Sequence, residues 1–183
     1  MRRPKAGAAA TALRHLLSVM LLPFVVVVVV PRWLLGGADP GTGEASAVAA
    51  ALPRVAGGIL FLAGFALFAW CVALFARVGR GTLAPWDPTR HLVAVGPYRH
   101  VRNPMISGVA AMLAGEAAYF RSPPIAAWCL LFVAINHAYF LLSEEPGLAR
   151  RFGAEYDRYR AAVPRWIPRR RPWRGSPGKE DGT

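Results

Sequence analysis

Long apolar runs alternate with polar, Gly/Pro-rich or basic stretches along this chain. Four runs stand out: about Leu16–Leu35, with Pro23 inside and unbroken valine from Val25 to Val30; about Val55–Ala76; about Met105–Phe120; and about Pro124–Leu142. A helix needs roughly 20 apolar residues to cross a bilayer, with about 17 as a lower bound. The first, second and fourth runs meet that length. The third is short, and Arg121-Ser122-Pro123-Pro124 folds it back on the fourth as a tight hairpin. The first run is long for the apolar core of a cleaved signal, and no convincing small-x-small site follows it before the Gly/Ala loop. The expected fold class is all-α: an integral membrane protein with about four transmembrane helices, an ordered cytoplasmic loop and a C-terminal amphipathic helix.

Patterning within the runs adds detail. Gly57, Gly58 and Gly64 in the second run, and Ser107, Ala111 and Gly115 in the third, are small enough to let helix backbones approach closely. From Pro146 the pattern turns amphipathic: Leu148, Phe152, Tyr156, Tyr159 and Val163 share one side, which suits a membrane surface. The Pro/Arg-rich tail from Pro164 reads as a contact for anionic lipid that ends in disorder.

Charge sets the orientation. The chain is 55% hydrophobic yet carries a formal net charge of +12. Its cations flank apolar runs, which argues for a membrane protein and against nucleic-acid binding. Nineteen Lys/Arg lie before the first run, between the second and third, or after the fourth; only Arg32, Arg54 and Arg121 lie in the alternate loops. This bias predicts both termini in the cytoplasm. Cys71 and Cys129 stand alone in different runs, with no metal-ligand spacing, so no metal is expected.

The candidate chemistry is crowded into Gly96-Pro97-Tyr98-Arg99-His100-Val101-Arg102-Asn103-Pro104-Met105. Gly96-Pro97 signals a turn. Asn103-Pro104 reads as a capped helix start, whose free N–H groups and positive dipole end suit a carboxylate or phosphate. The long loop before it carries Leu83, Trp86 and the apolar piece His91–Val95, which favours order against the membrane face. A second feature is Glu144-Glu145 at the cytoplasmic end of the fourth run. Acids at a helix C-terminus oppose the dipole, unless a new helix begins near Ser143. His137, seven residues earlier, falls on nearly the same helix face and reads either as packing or as a site residue. Glu116 reads as reaching the far interface, toward Arg121.

The series GPYRHVRNPM, an apolar hairpin, then EEPGLARRFGAEYDRYRAAVPRWIP resembles the isoprenylcysteine carboxyl methyltransferase family and its phospholipid methyltransferase relatives. These are integral membrane enzymes that use S-adenosyl-L-methionine. The resemblance covers roughly Thr82 to Pro168. Together with the apolar runs it divides the chain into a two-span N-terminal region at 1–76, which resembles nothing beyond generic spans, a methyltransferase-like region at 77–168 and a basic, disordered tail at 169–183. Residue by residue it implies cofactor binding by Leu92, Val93, Tyr98, Asn103, Pro104, Met105, Ile106 and Glu144, with Glu145 assisting and His91 beside an adjoining contact. Arg102 occupies the family's arginine, and His137 is placed to contact or deprotonate the acceptor; these two are the candidate catalytic residues. Asn103 stands where the family has histidine, Ile106 where it has tyrosine, and Phe140 where the prenylcysteine enzymes have a substrate-binding arginine. The expected activity is methyl transfer to a lipophilic small molecule or lipid, a carboxylate or an amine, at the cytoplasmic leaflet. Two rivals stand beside it: a non-catalytic membrane protein that keeps the fold for lipid or partner binding, and a nicotinamide-dependent membrane reductase.

Overall fold

The computed structural model describes residues 21–36, 47–78, 92 and 94–175. Among them the chain is all-helical. Helix α1 is Leu21–Leu34 and α2 is Ala47–Val78. A 3₁₀ turn at Gly96–Arg99 leads to α3, Pro104–Tyr119. Helix α4, Pro123–Tyr139, runs through a π turn at Phe140–Glu144 into α5, Glu145–Phe152, followed by α6, Ala154–Ala162. Two stretches, Ala51–Leu74 and Pro123–Phe152, are long and apolar enough to cross a membrane. Their outer faces are apolar and bare: Ile59, Leu62 and Leu130 are each exposed. The protein is thus an all-α membrane protein. Helix α3, at 16 residues, is shorter than a spanning helix needs, and 14 residues of α1 lie within the described part of the chain.

The bundle is built on a glycine seam between α2 and α3. A Cβ added at Gly57 would lie 2.5 Å from the carbonyl oxygen of Gly115, and one at Gly64 would lie 2.6 Å from that of Gly108. The pairs run in opposite order along the two helices, so α2 and α3 are antiparallel with backbones in contact. The small-residue stripe of α3 is Gly108, Ala111 and Gly115 rather than Ser107, Ala111 and Gly115. Ser107 instead turns its hydroxyl back to the Asn103 carbonyl at 3.0 Å. Gly58 faces open space and takes no part.

Helix α4 returns beside α3 after Ser122, whose side chain accepts the Ile125 N–H. Arg121 in this corner has φ 52° and is exposed, and Glu116 makes no ion pair with it; one Glu116 oxygen, Oε2, is buried without a partner. Helix α1 leans on α4 through one directed bond. A π turn at Val25–Val29 shifts its hydrogen bonds to i−5, as in Val30 N–H to Val25. The next donor in that register is Pro31, which has no N–H. The orphaned Val26 carbonyl accepts the Trp128 indole N–H at 3.0 Å instead. Val27, Phe68, Val109, Met112, Leu113 and Phe132 form the core where α1, α2, α3 and α4 meet.

Two antiparallel steps put the C-terminal end of α2, the start of α3 and the end of α4 at one end of the bundle. There the amphipathic stretch forms two helices, not one. Gly153, at φ 50° and ψ −129°, breaks α5 from α6 in a conformation that favours glycine. The expected apolar face is present, but it covers protein rather than lipid: Tyr156, Tyr159 and Val163 are buried against Leu92, Ala94, Leu148, Phe152 and Trp173.

Candidate functional site

The Gly96–Arg99 turn seats on α2. Gly96 has φ 55°, and a Cβ there would meet Leu74 at 2.8 Å. Tyr98 follows and is buried with Cys71, beside Leu67, Leu74 and Met105. Its hydroxyl is hydrogen-bonded to the Cys71 thiol. Burial, then the Cys71 contact, hold its ionisation well above the usual phenol range. Tyr98 is therefore a neutral post against α2. Its carbonyl accepts the Tyr159 hydroxyl at 2.7 Å, which fastens α6 to the turn. Burial likewise pushes the Tyr159 hydroxyl up.

Residues 164–173 run back across this turn as a strap. The Arg102 N–H donates to Pro164, the Arg169 N–H to His100 and the Trp173 N–H to Arg99, at 2.9, 3.0 and 2.9 Å. Side chains add to these: Arg99 Nε donates to the Trp173 carbonyl at 2.6 Å, and His100 Nδ1 donates to the Arg169 carbonyl at 2.8 Å. Polar groups of Arg99, His100 and Arg102 thus find partners in the strap, as backbone groups shielded from water require.

The strap also brings in a charge clamp. Arg165 grips Glu145 with two bonds, Nε to Oε1 at 2.8 Å and Nη2 to Oε2 at 2.9 Å. Arg102 Nη1 donates to the same Oε1 at 2.8 Å. The three side chains are only 14–18% exposed. Such bidentate, charge-assisted pairs are the strong ones. The bond to Glu145 raises the Arg165 ionisation further. Both Glu145 oxygens are occupied, so its role is to lock the start of α3, the start of α5 and the strap together.

Two polar groups remain open beside the clamp. Arg102 Nε is buried with no hydrogen-bond partner. Glu144 is exposed although protein crowds it, and its charge bears on Tyr98 and Tyr156. The π turn at Phe140–Glu144 adds a residue to one helical turn, which at 3.6 residues per turn swings Glu144 by roughly 100°. His137 and Glu144 therefore do not share one face as a plain helix would have them. The acids also sit favourably, because α5 starts at Glu145 with Pro146 in its first turn. His137 accepts the Trp166 indole N–H at Nδ1, 3.1 Å.

The remaining expected residues divide into three groups. Pro104 is fully buried at the start of α3, and Met105 and Ile106 are half-buried with parts of their surface on the core. Asn103 holds the N-cap position, but its side chain makes no capping bond; its carbonyl is used by Ser107, and its amide is left for another partner. Leu92 lies on the α6 cluster, and His91 and Val93 lie outside the described residues. Sequence reasoning missed Cys71, Tyr159, Arg165 and Trp166. Cys71 and Tyr159 carried no signal beyond apolar periodicity. Arg165 and Trp166 lie in a stretch that reads as a lipid-binding tail until its fold is known.

The model of the phospholipid methyltransferase family matches residues 52–155, from α2 through both acids to the start of α6. A methanethiol S-methyltransferase of Bradyrhizobium diazoefficiens is 37% identical over 75 residues, 39% of this chain. The match spans 27% of that relative's length. No solved structure matches the chain.

Proposed function

This chain belongs to the phospholipid methyltransferase family, and from that premise we propose that it transfers a methyl group from S-adenosyl-L-methionine to a lipophilic acceptor at the cytoplasmic leaflet. The observation that carries the proposal is the pair of unused groups of opposite sign at one end of the bundle: the buried, unpartnered Nε–H of Arg102 and the exposed carboxylate of Glu144. An amino-acid head needs both, a donor for its carboxylate and an anion for its ammonium. The start of α3, with the Asn103 side chain unused, adds N–H groups and a positive dipole end for the carboxylate. The residues present therefore fit the cofactor's charged head.

When bound, the cofactor supplies an electrophilic methyl on a sulfonium. The chain's task is orientation and exclusion of water, since holding two reactants in line can supply about 7–11 kcal/mol of a barrier. Arg102 and Glu144 fix the head. Glu145 and Arg165 keep Arg102 in place. Tyr98 anchors the turn on α2. The acceptor reaches the site from the lipid side, where α4 presents bare apolar surface, with its reactive head near His137. The methanethiol S-methyltransferase relative places sulfur beside oxygen and nitrogen as an acceptor atom to test. The excess of Lys/Arg at this end of the chain supports a cytoplasmic site.

The Asn103, Ile106 and Phe140 departures favour a second reading, a non-catalytic protein that keeps the fold. Equilibrium dialysis of the purified protein in nanodiscs with labelled S-adenosyl-L-methionine separates the two. Saturable binding supports the enzyme, and no binding rejects it.

A further inference from the structure

The strap, residues 164–173, has a second edge that the turn does not use. Its inner residues are half-buried. Arg165 bonds Glu145, Trp166 bonds His137, Arg169 donates to the Ala162 carbonyl, and the Trp173 ring packs on Tyr159. The residues between them point away. Ile167 is 79% exposed, and Pro168, Arg170, Arg171 and Pro172 are exposed with it. Neither Arg170 nor Arg171 has an ion pair among the described residues. No acid occurs between Asp157 and Glu180 to balance them.

The level of this edge follows from the helix it crosses. Pro123–Phe152 runs for 30 residues, and roughly 20 carry a helix through hydrocarbon. Counted from Pro123, the crossing ends near Leu142. Trp166 bonds His137 and lies beside Phe140, both before that point. The strap therefore crosses the helix where hydrocarbon gives way to headgroups, a boundary that tryptophan favours. Leu142, 81% exposed, is bare apolar surface at the same level. Backbone that leaves water must pair its donors or lack them. Pro164, Pro168 and Pro172 bring no N–H, and the Arg169 and Trp173 N–H groups already donate to the His100 and Arg99 carbonyls.

We propose that the outer edge of the strap, Ile167 with Arg170 and Arg171, is a docking surface for anionic lipid. The isoleucine enters the acyl boundary, and the two guanidinium groups take phosphate oxygens of the headgroups through parallel N–H bonds. Each cation beside an anionic leaflet is worth roughly five-fold in affinity. Arg169 and Trp173, which hold the turn, flank Arg170 and Arg171 in the chain. Lipid on the outer edge thus favours the closed strap and, through Arg165, the Glu145 clamp. The surface stands apart from the methyl-transfer reading.

The test uses the full chain, without cofactor or acceptor, in nanodiscs of phosphatidylcholine alone and of equal parts phosphatidylcholine and phosphatidylglycerol. Hydrogen–deuterium exchange is read at the Arg169 and Trp173 amides, which exchange when the strap leaves the turn. Phosphatidylglycerol should slow that exchange, by up to roughly thirty-fold for two arginines, and about 1 M salt should remove most of the effect. The double variant Arg170→Gln/Arg171→Gln should exchange alike in both bilayers. Ile167→Ser should exchange faster than the wild type in both, because an apolar wedge does not depend on lipid charge. Arg150→Gln/Arg151→Gln removes two exposed arginines of α5, about 12 Å or more past Leu142 along the helix, and should leave the lipid effect in place. Equal wild-type exchange in the two bilayers overturns the proposal and leaves the edge to water, a second copy or an acidic protein. Equal loss of the lipid effect in both double variants overturns it as well, since diffuse charge would then suffice. Unchanged exchange in Ile167→Ser shows the edge facing water and overturns it too. With no cofactor present, none of these outcomes bears on the methyl-transfer reading.

Discussion

The seam between α2 and α3 and the polar end above it hold their elements together by opposite means. Along the seam there is almost nothing but backbone. Gly57 faces Gly115 and Gly64 faces Gly108, so the helices touch where any side chain would part them. At the polar end contact is made by long side chains reaching across gaps: Arg165 and Arg102 to Glu145, Tyr159 to the Tyr98 carbonyl, Arg99 and His100 to the strap. The difference follows from the surroundings. Lipid gives helices no hydrophobic reason to associate, so close packing of small residues must supply the attraction. Near water, directed bonds can be satisfied in only one arrangement, and that arrangement positions a site. The seam sets where the helices lie, and the clamp sets where the charges point.

Substitutions should separate the two. The largest effect belongs to the seam. Gly115→Val places atoms 2.6 Å from the Gly57 oxygen and 2.7 Å from the Phe61 nitrogen, both backbone. Overpacking costs about 1–3 kcal/mol and sometimes more; with no flexible neighbour to yield, the top of that range is expected, read as lost thermal stability in detergent. Next comes the clamp. Glu145→Ala strands two largely buried guanidinium groups and should cost ~2–4 kcal/mol, with faster tryptic cleavage at Arg169–Arg171 as the strap loosens. Tyr159→Phe removes one bond to the Tyr98 carbonyl and should cost ~1 kcal/mol. Smallest is Gly58→Ala, which enters open space and should change stability by no more than ~1 kcal/mol, in the stabilising direction because alanine is the better helix former. If Gly58→Ala proved as harmful as Gly115→Val, the seam would be misplaced.

Much of the fold could be read from hydropathy, because a membrane helix declares itself by length and apolarity alone. Among the described residues, helices lie on all four apolar runs, and the hairpin at Ser122 and the Tyr156, Tyr159 and Val163 face appear where the pattern puts them. Elements set by tertiary contact were not legible. The seam uses Gly108 instead of Ser107, and only the partner helix decides that. The π turn at Phe140–Glu144 rotates Glu144 away from the His137 face, and no residue in that stretch announces an inserted position. The tail was the largest surprise. Pro164–Trp173 has the composition of a disordered, lipid-binding segment, yet its backbone donors and carbonyls pair with the turn. Within the site the types Tyr98, Arg102, Asn103, Glu144 and Glu145 were evident in the sequence. Their division of labour was not, because it depends on which oxygens Arg165 occupies.

That division is the central claim, and cofactor affinity in the full-length protein tests it most directly. Labelled S-adenosyl-L-methionine would be titrated into the wild type and Glu144→Gln, with thermal unfolding followed alongside. Loss of one charge-assisted bond should weaken binding by about ten- to a hundred-fold, while stability stays within ~0.5 kcal/mol of the wild type, as for a surface substitution. Unchanged affinity in Glu144→Gln would contradict the account.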